Sequence, residues 1–356
     1  MTDFGLFGLL GRRDPNKDIG AVIREATEHV RLGEQAGFST AWFAEHHFSN
    51  YSLTVSPLMM AAHLAAVTKT IRLGTSVVLG CLYQPARLIG EVAFVDQMCG
   101  GRLVLGVGSG YQAQELVRFG VTLEQSREMT AEMLEILDRG LSNGFIEYNG
   151  KHFRFPATEL SVLPAQRPRP PIWFAGNSPE SCAIAANNDY TLFASGFGRP
   201  VDTLVQVRRD AEASWRAAGH DPAKMRLAIL RYGFVTDSKA EALAYAENAR
   251  YQLRQSRYLR QGQTSLPGAF LPEEGFDGEM SPEDILANNP IGDAEMVAEK
   301  LAAEVAATKA VHIGLYMSVG RARHASVLKS IEAFGAKVLP ALEKARIAAR
   351  PAVAAG

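Results

Sequence analysis

The sequence predicts a single (β/α)8 barrel, on three observations. Eight short runs of β-branched, aromatic and small apolar residues alternate with eight amphipathic helical patterns, with no break in composition along 356 residues. Clusters of polar residues and glycine follow the strand runs, at Glu45-His46-His47, Thr75-Ser76, Gly106 to Tyr111, Gly176 to Ser178 and Gly196 to Gly198. A barrel carries its working groups where strands end and βα-loops begin. No Gly-x-Gly-x-x-Gly follows the first strand, which weighs against the other candidate, a doubly wound open sheet.

Taken in order, Phe4 to Leu10 reads as the first strand, and a helix runs from Asp18 to its Gly37 stop. Thr40 to Ala44 is the second strand. Ser56-Pro57 caps a helix of small residues ending near Lys69. Arg72 to Leu79 is the third strand, followed by a helix from Pro85 to Met98. Leu103 to Val107 is the fourth strand, and a helix spans about 123–141. Aromatic–polar alternation from Phe145 to Leu163 around Asn149-Gly150 predicts a hairpin inserted into the repeat.

A proline-rich loop then leads to the fifth strand, Ile172 to Ala175. Ser178 is the N-cap and Pro179 the first residue of the next helix. The sixth strand is Tyr190 to Ala194, with a helix at 201–218. The seventh is Met225 to Val235, with a helix at 238–259. Residues 261–290 are rich in Gly, Pro, Glu and Ser and read as a structureless lid. A helix at 293–307, an eighth strand at 311–316 and a helix at 324–346 complete the chain. Residues 1–350 are therefore assigned to one domain, with 261–290 as a lid insertion and 351–356 as a frayed tail.

Composition narrows the function. The chain is 47% apolar and 21% charged with net charge −1, which supplies no basic excess for nucleic acid or a membrane surface. No apolar run approaches the roughly 20 residues that span a bilayer. The amino terminus reads as a strand and not as a secretory signal. Cys81, Cys99 and Cys182 are widely spaced and odd in number, which suits a reducing cytoplasm and forms no metal-ligand pattern.

The candidate chemistry centres on Glu45-His46-His47. Three titratable groups at the end of an apolar strand cannot be hidden cheaply and belong at a cavity mouth, where imidazoles work as acid, base or donor near pH 7. The plainer alternative is one exposed and one capped histidine. Gly176-Asn177-Ser178 with Ser181 opens a helix whose free amides suit a phosphate, or form an ordinary N-cap. Gly108-Ser109 and Tyr111 leave room for a flat ligand against backbone, or form a flexible loop. Thr75 and Ser76 place hydroxyls near a heterocycle edge, or are satisfied within the sheet. Phe7, Trp42, Tyr83, Tyr111, Trp173, Phe193 and Phe197 are the expected aromatic pocket walls.

These segments carry a resemblance. Ala44-Glu45-His46-His47-Phe48, Gly74-Thr75-Ser76-Val77, Asp96-Gln97-Met98 before Gly100-Gly101-Arg102-Leu103, Gly106 to Tyr111, Gly292-Asp293-Ala294-Glu295 and Phe334 to Pro340 all resemble the bacterial luciferase-like flavin-dependent monooxygenase family, in its order and over almost the whole chain. The resemblance implies a barrel binding reduced FMN supplied by a separate flavin reductase. It also implies O2 as co-substrate, a flavin hydroperoxide, and oxygenation of a small apolar substrate such as an aldehyde or ketone. By motif, His46 is the catalytic histidine with His47 beside it. Glu45, Thr75, Ser76, Gly108, Ser109, Tyr111, Gly176, Asn177, Ser178 and Ser181 fall in the flavin-binding segments.

One departure stands out. The luciferase α-chain has Cys-Arg in the fourth-strand loop, with the arginine on the phosphate, where this chain has Gly108-Ser109. That leaves a contact of roughly 1.5–3 kcal/mol to be replaced and points away from light emission, toward a general monooxygenase. Two other functions stay open at this point: a deazaflavin-dependent hydride-transferring oxidoreductase on the same fold, and a non-catalytic flavin-binding protein. Ala61, Ala62, Ala65 and Ala66 form a stripe suited to close helix packing, either in a homodimer, as the resemblance implies, or against the chain's own barrel.

Overall fold

The structure is a computed structural model that describes residues 2–348. Eight strands run parallel: β1 (Asp3–Gly8), β2 (Thr40–Phe43), β3 (Arg72–Thr75), β4 (Leu103–Gly108), β5 (Ile172–Ala175), β6 (Thr191–Ser195), β7 (Leu227–Tyr232) and β8 (His312–Tyr316). Each pairs with its sequence neighbour. β1 pairs with β8 through Asp3 and His312, and β3 with β4 through Leu73 and Leu103. The sheet closes on itself and keeps no free edge, which removes the usual route to edge-to-edge aggregation.

The helices α1 (Ile19–Ala36), α2 (Pro57–Ala65), α3 (Pro85–Met98), α4 (Ala113–Arg118), α5 (Leu123–Asn143), α6 (Pro179–Asn187), α7 (Val201–Ala217), α8 (Lys239–Arg260), α9 (Pro282–Asn288), α10 (Ala294–Thr308), α11 (His324–Ala333) and α12 (Leu339–Ala348) accompany the barrel. Their ends follow the sequence signals. Asp18 caps α1 by accepting from the Ala21 amide, and Gly37 ends it in the left-handed region at φ 90°. Ser178 accepts from the Ser181 amide at the start of α6. The hairpin pairs Phe145–Asn149 with Arg154–Glu159 as a separate two-stranded sheet.

A wedge of aromatic side chains fills the barrel. The Trp42 ring packs at a tilt 4.6 Å from Trp173 and 4.8 Å from Phe193, and its indole N–H donates to His312 Nε2 at 2.8 Å. Gly74 is required beside it, because a Cβ there would overlap the Trp42 ring. Trp42 and Trp173 are therefore the barrel's plug, below the cavity and not in its wall as the sequence suggested. The motif residues Asp96 and Arg102 bind at the opposite end of the strands. Arg102 donates to Thr68 Oγ1 and the Ile71 carbonyl, and Asp96 accepts from Gln166. Both clamp loops that precede strands, so they hold the fold and stand clear of the cavity.

Four differences from the sequence reading have local causes. The third strand run breaks after Thr75 and resumes at Val78–Leu79, with a cis peptide between Ser76 and Val77. The loop after β4 contains the short helix α4. The 261–290 segment contains α9, whose Ser281–Asp284 capping box repeats the Ser-Pro start of α6 and went unread. The last helix is interrupted by a π-turn at Phe334–Val338 between α11 and α12. The 351–356 tail lies outside the described residues.

Candidate active site

The carboxyl ends of the strands open into a cavity of about 1100 Å3. Its floor is aromatic: the Phe7 ring meets Tyr316 edge-on at 5.3 Å, and Phe197 lies 4.9 Å from Tyr232. Such walls exclude water and suit a planar apolar ligand. Of the predicted wall residues, Phe7, Tyr111, Phe193 and Phe197 line it.

His46 lines this cavity and is held from behind. Its Nδ1 lies 3.1 Å from Glu115 Oε1, and the same carboxylate oxygen accepts the His47 backbone N–H at 2.6 Å. The Gln112 amide lies 2.9 Å from the same nitrogen. The carboxylate can only accept and the Gln112 side-chain nitrogen can only donate, so the two contacts call for opposite tautomers, and together they fix the place of the ring and not its proton. Glu115 is fully buried. Neither Glu115 nor Gln112 was predicted. Glu115 lies in α4 and Gln112 is the residue that precedes it, in a stretch read from sequence as loop, and Glu115 is 69 residues from its partner.

His47 turns away from the cavity. Its Nε2 pairs with Glu45 Oε1 at 3.1 Å, and its ring packs edge-on against Phe119 at 4.9 Å. Glu45 touches the cavity but is 2% exposed and already accepts from the Leu79 amide and the Tyr83 hydroxyl, each at 3.0 Å. Burial raises its carboxyl above the usual range, while His47 and the Leu79 amide pull the other way.

The other predicted residues divide in the same manner. Ser76, Gly108, Ser109 and Tyr111 line the cavity. Thr75 does not: its hydroxyl donates to the Gly106 carbonyl at 2.8 Å and accepts the Gly106 N–H at 2.9 Å, linking β3 to β4. Asn177 lines the cavity, but both ends of its amide are engaged by the Ser195 backbone, at 2.8 and 2.9 Å. It positions the loop, with one N–H of its amide left over. Burial pushes the Tyr111 phenol well up, and its hydroxyl donates to Tyr51 at 3.2 Å.

One end of the cavity gathers hydroxyl groups and a positive charge. Gly176, Ser178 and Ser181 line it at the start of α6, with the two serine hydroxyls 3.2 Å apart. Gly176 is needed there, since a Cβ would overlap the Ser181 side chain. Arg127, from α5, lines the same cavity and is near enough to α6 for its charge to help lower the Glu180 carboxyl, after hydrogen bonding by Ser178. The fourth-strand loop offers no arginine here, and Arg127 brings a guanidinium to the cavity from a different element. Among the described residues, no three carboxylate, imidazole or thiol groups converge as metal ligands.

A family profile described as Luciferase-like monooxygenase matches residues 2–312. The chain belongs to the luciferase-like monooxygenases. As a member it is a flavin-dependent monooxygenase, as the resemblance implied. It is 39% identical to the uncharacterized protein y4vJ of Sinorhizobium fredii (strain NBRC 101917 / NGR234), over 96% of this chain and 98% of that one. It is 28% identical to the oxygenase component of the flavin-dependent trigonelline monooxygenase of Acinetobacter baylyi, over 84% and 85%. The fold is shared with the oxygenating constituent of 3,6-diketocamphane monooxygenase from Pseudomonas putida, solved with FMN, at TM-score 0.79 and 19% identity over 96% and 99%. In this luciferase-like monooxygenase the serine and Arg127 end and the His46 wall belong to one continuous hollow.

Proposed function

We propose that this monooxygenase takes reduced FMN from a separate reductase and uses O2 to oxygenate a small organic substrate with an apolar body. The observation that carries the reading is the pairing, in one cavity, of an aromatic floor with a phosphate cradle and a histidine held by a buried carboxylate. The residues fit the cofactor: the floor takes a tricyclic ring, and Ser178, Ser181 and Arg127 take its phosphate. When bound, the reduced flavin supplies the activation of O2.

The chain's own residues do the rest. Glu115 holds the His46 ring through Nδ1, and the imidazole at the cavity wall can hold or accept a proton. Phe276 and Met280, from the segment over the mouth, complete an apolar enclosure that keeps water from the reacting atoms. That segment is anchored by Glu273 on Arg13 at 2.7 Å and by Leu271, whose amide donates to Asn50 at 2.9 Å. Glu45, His47, Thr75 and Asn177 act as positioning residues behind this surface.

The test is coupled turnover with a flavin reductase, O2 and a substrate panel. His46→Ala, folded and still binding FMN, should release hydrogen peroxide in place of product. Unchanged coupled oxygenation in that variant would remove His46 from the reaction.

A homodimer is supported by an unpartnered apolar face on α2 and α3: Met59 is 71% exposed, Phe94 58% and Met98 50%. Ala61 is buried in the chain's own core and Ala62 and Ala65 pack half-buried against it, so we assign the exposed set, and not the whole alanine stripe, to a second copy. Among the described residues no helix is long and apolar enough to cross a membrane. We place the protein in the cytoplasm on its three buried free thiols, Cys81, Cys99 and Cys182.

A further inference from the structure

Helix α8 departs from the usual role of a barrel helix. Its last two turns bring Gln252, Leu253, Ser256, Arg257 and Arg260 onto the cavity. Offsets of one, four, five and eight place these side chains on one helical face. They span about 12 Å of wall.

The charge on this wall is uncompensated. Arg257 and Arg260 from α8 and Arg199 from the loop after β6 all line the cavity, and none is ion-paired among the described residues. The contrast with neighbouring arginines is sharp. Arg254, one turn earlier on the cavity's outer side, is clamped on Glu279, and the buried Arg231 lies 3.0 Å from Glu304. The Arg260 Cζ lies over the Tyr111 ring at 4.0 Å and the Arg257 Cζ over Phe276 at 4.2 Å. Stacking occupies a guanidinium's face and leaves its in-plane N–H groups for an acceptor. Burial and then the charge of Arg260 disfavour the cation on Arg199, as expected of like charges gathered without a counter-ion.

A second, independent feature is polar. Both ends of the Gln252 amide and the Tyr316 hydroxyl lack hydrogen-bond partners, although the two residues are 3% and 1% exposed. Both residues line the cavity. Enclosed polar groups of this kind call for a partner, whether an ordered water, an ion or a ligand atom.

We propose that this wall binds the acidic group of the substrate, and that the substrate is a planar organic acid. Its carboxylate is held by Arg260, Arg257 and Arg199, and its ring lies along Tyr111 toward His46. The His46 ring is 5.6 Å from Tyr111 and 5.0 Å from Tyr51, so a single aromatic or heteroaromatic ring bridges the arginines and the histidine. Gln252 and Tyr316 meet a further polar atom on the substrate. The proposal rests on the flavin reading only for what then happens to the ring. The other source of an anion is the flavin phosphate, which the proposal assigns to Ser178, Ser181 and Arg127.

The experiment is calorimetric titration of the full-length protein, with and without saturating FMN, using benzoate and nicotinate, each against its uncharged amide. Each acid should bind at least tenfold tighter than its amide, and the preference should weaken with added salt. Arg260→Gln combined with Arg257→Gln should erase the preference and leave the Kd for FMN unchanged. Equal binding of acids and amides by the wild type overturns the proposal without any variant. It is also overturned if the double variant weakens FMN but not riboflavin and keeps its preference for acids, because the arginines then serve the phosphate. Acid preference in a protein that binds no flavin would sink the FMN reading and leave this one standing.

Discussion

His46 and Glu115 meet at 3.1 Å across 69 residues of chain, with Glu115 wholly buried and its other hydrogen bond taken from the His47 amide. One carboxylate thus holds both the imidazole ring and the backbone on which it sits. A buried acceptor in that place is a device for orientation, as in other acid–base pairs where a carboxylate stands behind a histidine.

Glu115→Gln should therefore keep the fold and FMN binding and lower coupled turnover about ten- to a hundredfold, with peroxide replacing product. His46→Ala should lose about a hundredfold or more. The double variant should be little worse than His46→Ala, since the two groups act as one unit. Product and peroxide yields per reduced flavin are the readout, and an additive double variant would separate their roles.

Arg127→Gln should raise the Kd for FMN about tenfold, the lower end of a charge-assisted contact because the side chain is exposed. Riboflavin, which lacks the phosphate, should bind both proteins alike. Fluorescence titration with the two flavins checks this, and equal weakening for both would place Arg127 away from the phosphate.

Burial, then the charges of His324 and Lys17, lower the His29 imidazole from 6.5 to about 3. Its Nε2 lies 3.0 Å from His324 Nδ1, and His324 is paired with Glu28 at 2.7 Å. Because the folded value lies below the unfolded one, the unfolded chain takes up the proton first. The neutral His29 thus contributes its full stability above about pH 6.5 and loses it as the pH falls toward 3, by about 1.4 kcal/mol per pH unit within that window. Urea unfolding of His29→Leu between pH 6 and 5 should fall less steeply than the wild type by about 1 kcal/mol.

Gly74→Ala places a methyl group inside the Trp42 ring and should cost about 1–3 kcal/mol or more, read as a lowered urea midpoint. Trp42 fluorescence should report the same disturbance, because its contacts with Trp173 and Phe193 must shift.

Met59→Glu together with Phe94→Glu should yield a folded monomer by sedimentation, since two carboxylates on an apolar interface carry a desolvation cost. A wild type that sediments as a monomer would instead leave the α2–α3 face without its second copy.

The sequence by itself determined the barrel, the positions of its eight strands, the caps at Asp18, Ser178 and Gly37, and the strand ends that surround the cavity. These are local matters, written in periodicity, capping residues and turn chemistry over a few neighbouring positions. Tertiary structure alone decided which side chains face the ligand space. Strand registry sent Trp42 into the plug and His46 to the wall, and a short helix 69 residues away put Glu115 behind that histidine. It also spent Thr75 and Asn177 on backbone partners and turned the end of α8 inward. Hydrogen bonds and charges between distant segments carry no periodic signature, so only closing the barrel brings their partners into view.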